Sequence, residues 1–189
     1  MRTSEIAKRP VVTHAGDDVG QVKDVIYAAG GGEVGGFTLA GRGLFAGPSK
    51  QALPWSSVGA LGNDAVMIVD ADALAPLQSV LDASASTGGF GGDVLGSQVL
   101  TDAGTELGSV VDVIVEVDPD GPGRCDVVGY EIEAAEAMGT KVLIPLPDTL
   151  AASGEHLIVP AAAKDFVSHD LAGFGAAVEA FRAALEGRA

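Results

Sequence analysis

Asp24 and Asp112 each stand directly before a Val-Ile pair, Val25-Ile26 and Val113-Ile114. A carboxylate so placed can bind a cation or move a proton, but either task needs a second acid, a base or further ligands close by. No such companion is spaced near them. Accepting backbone N–H bonds at a strand end or turn, a habit of Asp, accounts for both more simply. Asp118-Pro119-Asp120-Gly121 has alternate carboxylates in the style of a calcium loop. It lacks the third acidic position and the distant bidentate Glu of such loops, and the same residues make an ordinary turn. His14, His156 and His169 lie in three separate segments without short metal-ligand spacing. Ser168-His169-Asp170 is no triad, because adjacent side chains diverge. Ser168 or Asp170 fits better as the N-cap of a following helix. Cys125 is the single cysteine, beside a turn, and nothing in the sequence lowers its pKa as a reactive thiol requires. The glycine runs Gly30-Gly31-Gly32 and Gly35-Gly36 are not followed by the Lys-Ser/Thr and helix of a phosphate cradle. The residues therefore assign no catalytic site, no metal site and no cofactor.

The elements that would position any site repeat themselves. Val12 to Tyr27 lies over Leu100 to Val115 without a gap, with identities at Thr13/Thr101, Ala15/Ala103, Gly16/Gly104, Gly20/Gly108, Val22/Val110, Asp24/Asp112, Val25/Val113 and Ile26/Ile114. Val34-Gly35-Gly36-Phe37 then meets Val128-Gly129-Tyr130, and Leu53-Pro54 through Val69 lies over Ile144-Pro145 through Pro160. Within each copy, β-branched and aromatic runs alternate with glycine turns, the pattern of short strands. Gly16-Asp17 and Gly104-Thr105 read as hairpin turns. Five or six strands at this spacing predict a small closed barrel in each copy, since closure removes exposed edges.

Helical periodicity appears outside the strand-rich copies. Phe174, Val178, Phe181 and Leu185 recur at helical spacing, and Gly187 is a stop signal. A shorter helix is expected from about Leu74 to Leu81. The domain organisation read from these signals is a first barrel with its trailing helix over 1–81, a Gly/Ser-rich linker over 82–93, a second barrel over 94–163 and a C-terminal helix over 164–189.

Composition narrows the function. The chain has 189 residues, is 47% hydrophobic, and carries 11 basic against 26 acidic residues, a formal charge of -15. Its mean hydropathy of +0.32 supplies ample material for a core. The acidity disfavours direct contact with nucleic acid, whose affinity comes mainly from basic residues releasing counterions, and docking to anionic lipid. No apolar run approaches the ~18 residues of a membrane span, and the N-terminus lacks a signal peptide's apolar core. A cytoplasmic protein without membrane insertion is expected. Residues 1–90 carry six basic and nine acidic residues, a net of -3, whereas 91–189 carry five and seventeen, a net of -12. That field would steer a basic partner, or serve solubility alone.

Gly20-Gln-Val-Lys-Asp-Val-Ile26, Val34-Gly-Gly-Phe37, Ala52-Leu-Pro-Trp-Ser-Ser-Val58 and Leu61-Gly-Asn-Asp-Ala-Val66 resemble the pattern of the PRC-barrel family. That family includes the cytoplasmic domain of the photosynthetic reaction-centre H subunit and the C-terminal domain of the ribosome maturation factor. The first copy matches over about residues 1–72. The second matches well at 100–115 and more loosely beyond, with Leu146 in place of Trp55 and no counterpart of Gly62-Asn63. The resemblance implies a mainly β fold, two small PRC-type β-barrels in tandem with a C-terminal amphipathic helix. It also implies a barrel that binds other macromolecules, usually without catalysis, and carries no catalytic residues with it.

The expected function is thus a non-enzymatic protein-interaction or scaffold module that assembles a cytoplasmic complex, working as a homodimer with a basic protein partner. The alternative is a small-ligand or metal-ion binding protein using a pocket between the barrels. Candidate interaction residues are the apolar side chains at glycine-flanked loops and on the terminal helix: Leu44, Phe45, Met138, Phe174, Val178, Phe181 and Leu185. Leu44 and Phe45 would either project as an apolar tip or fold over one barrel end.

Overall fold

The computed structural model describes residues 1–28, 32–41, 48–85, 94–117, 123–137, 139–146, 151–153 and 156–187. They gather into two compact units. One comprises Thr3–Gly91 with Glu116–Asp126, and the other comprises Met1–Arg2, Gly92–Val115 and Val127–Ala189.

In the first unit a short helix α1 (Thr3–Ile6) precedes strands β1 (Pro10–Thr13), β2 (Asp18–Tyr27), β3 (Val34–Ala40) and β4 (Pro48–Pro54). A 3-10 turn at Trp55–Ser57 leads to β5 (Ala60–Leu61) and β6 (Val66–Ile68). A second 3-10 turn at Ala71–Ala73 leads to β7 (Ala75–Pro76) and helix α2 (Leu77–Ala85). The helix expected from Leu74 thus begins three residues later. The reason is Pro76, which disfavours helical backbone at Ala75 and leaves it extended, paired with Ala52. Asp82–Ala85, placed in the linker by composition, are the last residues of α2, and the Gln78 side-chain amide donates to Asp82 Oδ1 at 2.8 Å. The rest of the expected linker lies outside the described residues.

The second unit's sheet is formed by β8 (Gln98–Thr101), β9 (Glu106–Val117), β10 (Cys125–Ala134), β11 (Lys141–Pro145), β12 (Ala151–Ser153) and β13 (His156–Val159). A 3-10 segment at Ala161–Phe166 leads to helix α3 (Leu171–Glu186). Asp170 is its N-cap, with Oδ1 accepting from the Gly173 N–H at 2.8 Å. The mainly β character and the terminal helix agree with the sequence reading.

The strand order is β5-β6-β1-β2-β3-β4-β7 in one sheet and β11-β10-β9-β8-β13-β12 in the other. Read in the reverse direction, the second repeats the first six positions of the first. In each, the opening strand pairs in parallel with the second strand of a late antiparallel pair, Val11 with Val66 of β6 and Val99 with Leu157 of β13. Both first hairpins shift register at the same place, between Val11 and Val12 and between Val99 and Leu100. Gly36 and Phe37 face Pro54 and Leu53, just as Gly129 and Tyr130 face Pro145 and Ile144. Gly16 and Gly104 have φ of 92° and 78°, a left-handed conformation that suits glycine, and each N–H donates to a threonine carbonyl, of Thr13 at 2.9 Å and Thr101 at 2.8 Å.

Neither sheet closes into a barrel among the described residues, which corrects the sequence expectation. The exposed edges that closure would hide are small. In the first unit the edge strands β5 and β7 have two residues each. In the second, edge strand β11 exchanges two backbone hydrogen bonds with Ser168, at 2.8 and 2.9 Å through Leu143, and edge strand β12 has three residues.

Inward-facing apolar residues fill both units. Val11, Val22, Phe37, Leu53, Val66 and Ile68 are buried in the first, where Phe37 meets Trp55 edge-on with ring centroids 6.1 Å apart. Val99, Tyr130, Ile132, Ile144, Leu157 and Val159 are buried in the second. Each helix covers a patch of its own sheet. Val80 of α2 packs with Ile26 and Ala52, while Phe174 and Val178 of α3 pack with Ile114, Val128 and Leu143.

Candidate functional site

The residues singled out for chemistry fall into ordinary structural roles. Asp112 is buried at 5% exposure, with Oδ1 accepting from the Val113 N–H at 2.8 Å. This is the local bonding its sequence position suggested. Asp24, at the same place in the repeat, is exposed and instead meets the Thr38 hydroxyl at 3.4 Å and Lys23 Nζ at 3.4 Å. His14 and His169 are exposed and His156 is half-buried. Among the described residues, no three His, Cys, Asp or Glu side chains come together as metal ligands. The Asp118–Gly121 segment lies outside the described residues.

Cys125 is only 1% exposed, which settles the accessibility that its turn-side position left open. Burial pushes its thiol up to about 12, with the neighbouring Asp126 carboxylate acting in the same direction. A thiolate is therefore suppressed at neutral pH, and Cys125 behaves as a small core hydrophobe.

Of the expected interaction residues, Leu44, Phe45 and Met138 lie outside the described residues. Phe174, Val178 and Phe181 are 2%, 3% and 0% exposed, and Phe181 also packs on Phe166 at a centroid distance of 5.4 Å. Leu185 is half-buried. The apolar stripe of α3 is therefore used within its own unit, where it covers the sheet. These three side chains are core rather than free surface, a correction with a simple cause: the sheet face bearing Ile114, Val128 and Leu143 needs an apolar cover.

A concave feature is found in the first unit, beside α2. A groove of about 340 Å³ is lined by Ala28 just after β2, by Glu33, Val34 and Gly35 at the start of β3, by Pro54 at the end of β4 and by Ser56 in the turn that follows. Ala75, Ser79, Val80, Ala83 and Ser84 form its helical wall. Small side chains let the helix approach the sheet here. A β-carbon on Gly35 would fall 3.2 Å from Ser84 Cβ and nearer still to its hydroxyl, so only glycine permits this crossing. At the same helix, Ser79 donates its hydroxyl to the Pro76 carbonyl at 2.7 Å, and Leu81 remains 37% exposed.

Glu33 is the ionisable residue of the lining, and it is ion-paired with Arg124. Arg124 also holds Asp126, at 3.1 Å, and Glu33 and Asp126 form an antiparallel β-bridge. With one carboxylate already neutralised and otherwise methyl, methylene and hydroxyl groups, the lining offers no nucleophile-base pair. It can receive an apolar side chain and hydrogen-bond a neighbouring polar group, the chemistry of a docking site. The sequence reading missed this groove. Its signal was present in Gly35, a glycine inside a strand pattern, which marks close approach of another backbone or side chain.

The second unit contains a different polar feature. Glu131, with 9% side-chain exposure, accepts from Arg2 Nη2 at 2.8 Å and Nε at 3.1 Å, while Lys141 Nζ stands 3.8 Å from its other oxygen. The Met1 ammonium donates to the Val115 carbonyl at 2.6 Å, and Arg2 forms a β-bridge with Ile114. This is a structural ion pair, satisfied on both sides.

Compared with known proteins, residues 1–74 match the family model of the PRC-barrel domain. The match spans β1 to β6 and stops within the turn that leads to α2. No curated protein matches the chain. Among the described residues, no helix is long and apolar enough to cross a membrane.

Proposed function

We propose that the protein is a non-enzymatic interaction module that assembles a protein complex, and that the groove beside α2 is the face that receives the partner. The supporting observation is the lining itself: small apolar and hydroxyl side chains around one carboxylate already paired with Arg124. Such a surface favours an apolar side chain flanked by polar atoms over a charged small substrate. The short or covered sheet edges make strand addition a poor means of recruitment, which leaves a groove contact as the better-supported mode.

On this reading the second unit is a diverged second copy of the PRC-type fold. The common strand order, the parallel pair in each sheet and the register shift at matching residues support that descent. The copies would have divided the work. The first keeps a groove beside a short helix, and the second uses a longer helix to cover its sheet, while the acidity, shared almost evenly between the two units, steers a basic partner. The module acts in the cytoplasm as a homodimer.

The test uses the full chain as bait, beside an Ala83→Trp variant. Ala83 is exposed and lines the groove, so the indole fills it with little disturbance of the core. The expected result is that the proteins captured by the native chain fall about tenfold or more with the variant, while the melting temperature is unchanged. Equal capture by both would overturn the groove assignment. Stabilisation of the native chain by calcium, zinc or a nucleotide would favour the small-ligand reading instead, at about 2.7 kcal/mol for a ligand at 100 times its Kd.

A further inference from the structure

We draw no further inference here: the strongest candidate, the groove between α2 and the β3–β4 side of the first unit, belongs to the site already described, and nothing in the structure shows what covers it.

Discussion

Individual residues show how one sequence position can serve two environments. Asp24 and Asp112 occupy the same place in the repeat, yet one is exposed and the other buried on its neighbour's N–H. Sequence spacing identified them as a pair but could not assign burial, which depends on what lies across the strand. Two buried groups have a consequence for pH. Burial raises both Cys125 and Tyr130 to about 12, from ordinary values of 9.0 and 10.0. Each stays neutral in the folded chain after its unfolded counterpart has ionised, so both favour unfolding as pH rises. Stability should be insensitive to these groups below about pH 8 and decline between about pH 9 and 12, by about 4 kcal/mol for Cys125 and about 3 kcal/mol for Tyr130. Denaturant titrations across that range check this, and a flat profile would refute it. In the same way, Arg2→Ala should cost about 2 kcal/mol by leaving Glu131 with Lys141 alone at 3.8 Å, short of a fully buried pair because Arg2 is partly exposed. Thermal melts of the two proteins measure it.

At the scale of elements, the helices decide more than their length suggests. The spacing of Phe174, Val178 and Phe181 marked an amphipathic helix in the sequence, and α3 is found there. Periodicity states that a helix has an apolar face but not what that face meets. Here it meets the helix's own sheet, so Phe174→Ala should behave as a core truncation and lower stability by about 3–5 kcal/mol. A change below 1 kcal/mol in urea unfolding would instead indicate a face that packs loosely. Helix α2 was legible as a helix but displaced in extent, because proline chemistry moved its start, and it runs past Leu81 to Ala85. The groove beside it depends on Gly35 meeting Ser84, two residues 49 positions apart that no local pattern links.

For the molecule as a whole, charge is the property that sequence reports best, since it needs no fold. The net of -15 lies mostly in residues 91–189. If a basic partner is steered by that field, association should slow several-fold between about 50 and 300 mM salt, with dissociation little altered. Stopped-flow or surface-based kinetics separate the two rates. A salt-independent association rate would confine the acidity to solubility. Composition could not foresee how chain segments are shared out. Met1–Arg2 complete the unit built largely from residues 92–189, and 116–126 complete the unit built from 3–91.

Turn glycines, β-branched strands, a capped amphipathic helix and the doubling of one pattern were all readable in the amino acids, because each depends on neighbours within a few positions. Open sheets in place of closed barrels, the burial of Cys125, the cover that α3 provides and the crossing of α2 over Gly35 were settled only by tertiary structure. Those outcomes depend on which distant strand, edge or side chain arrives opposite, and long-range pairing leaves little trace in local periodicity.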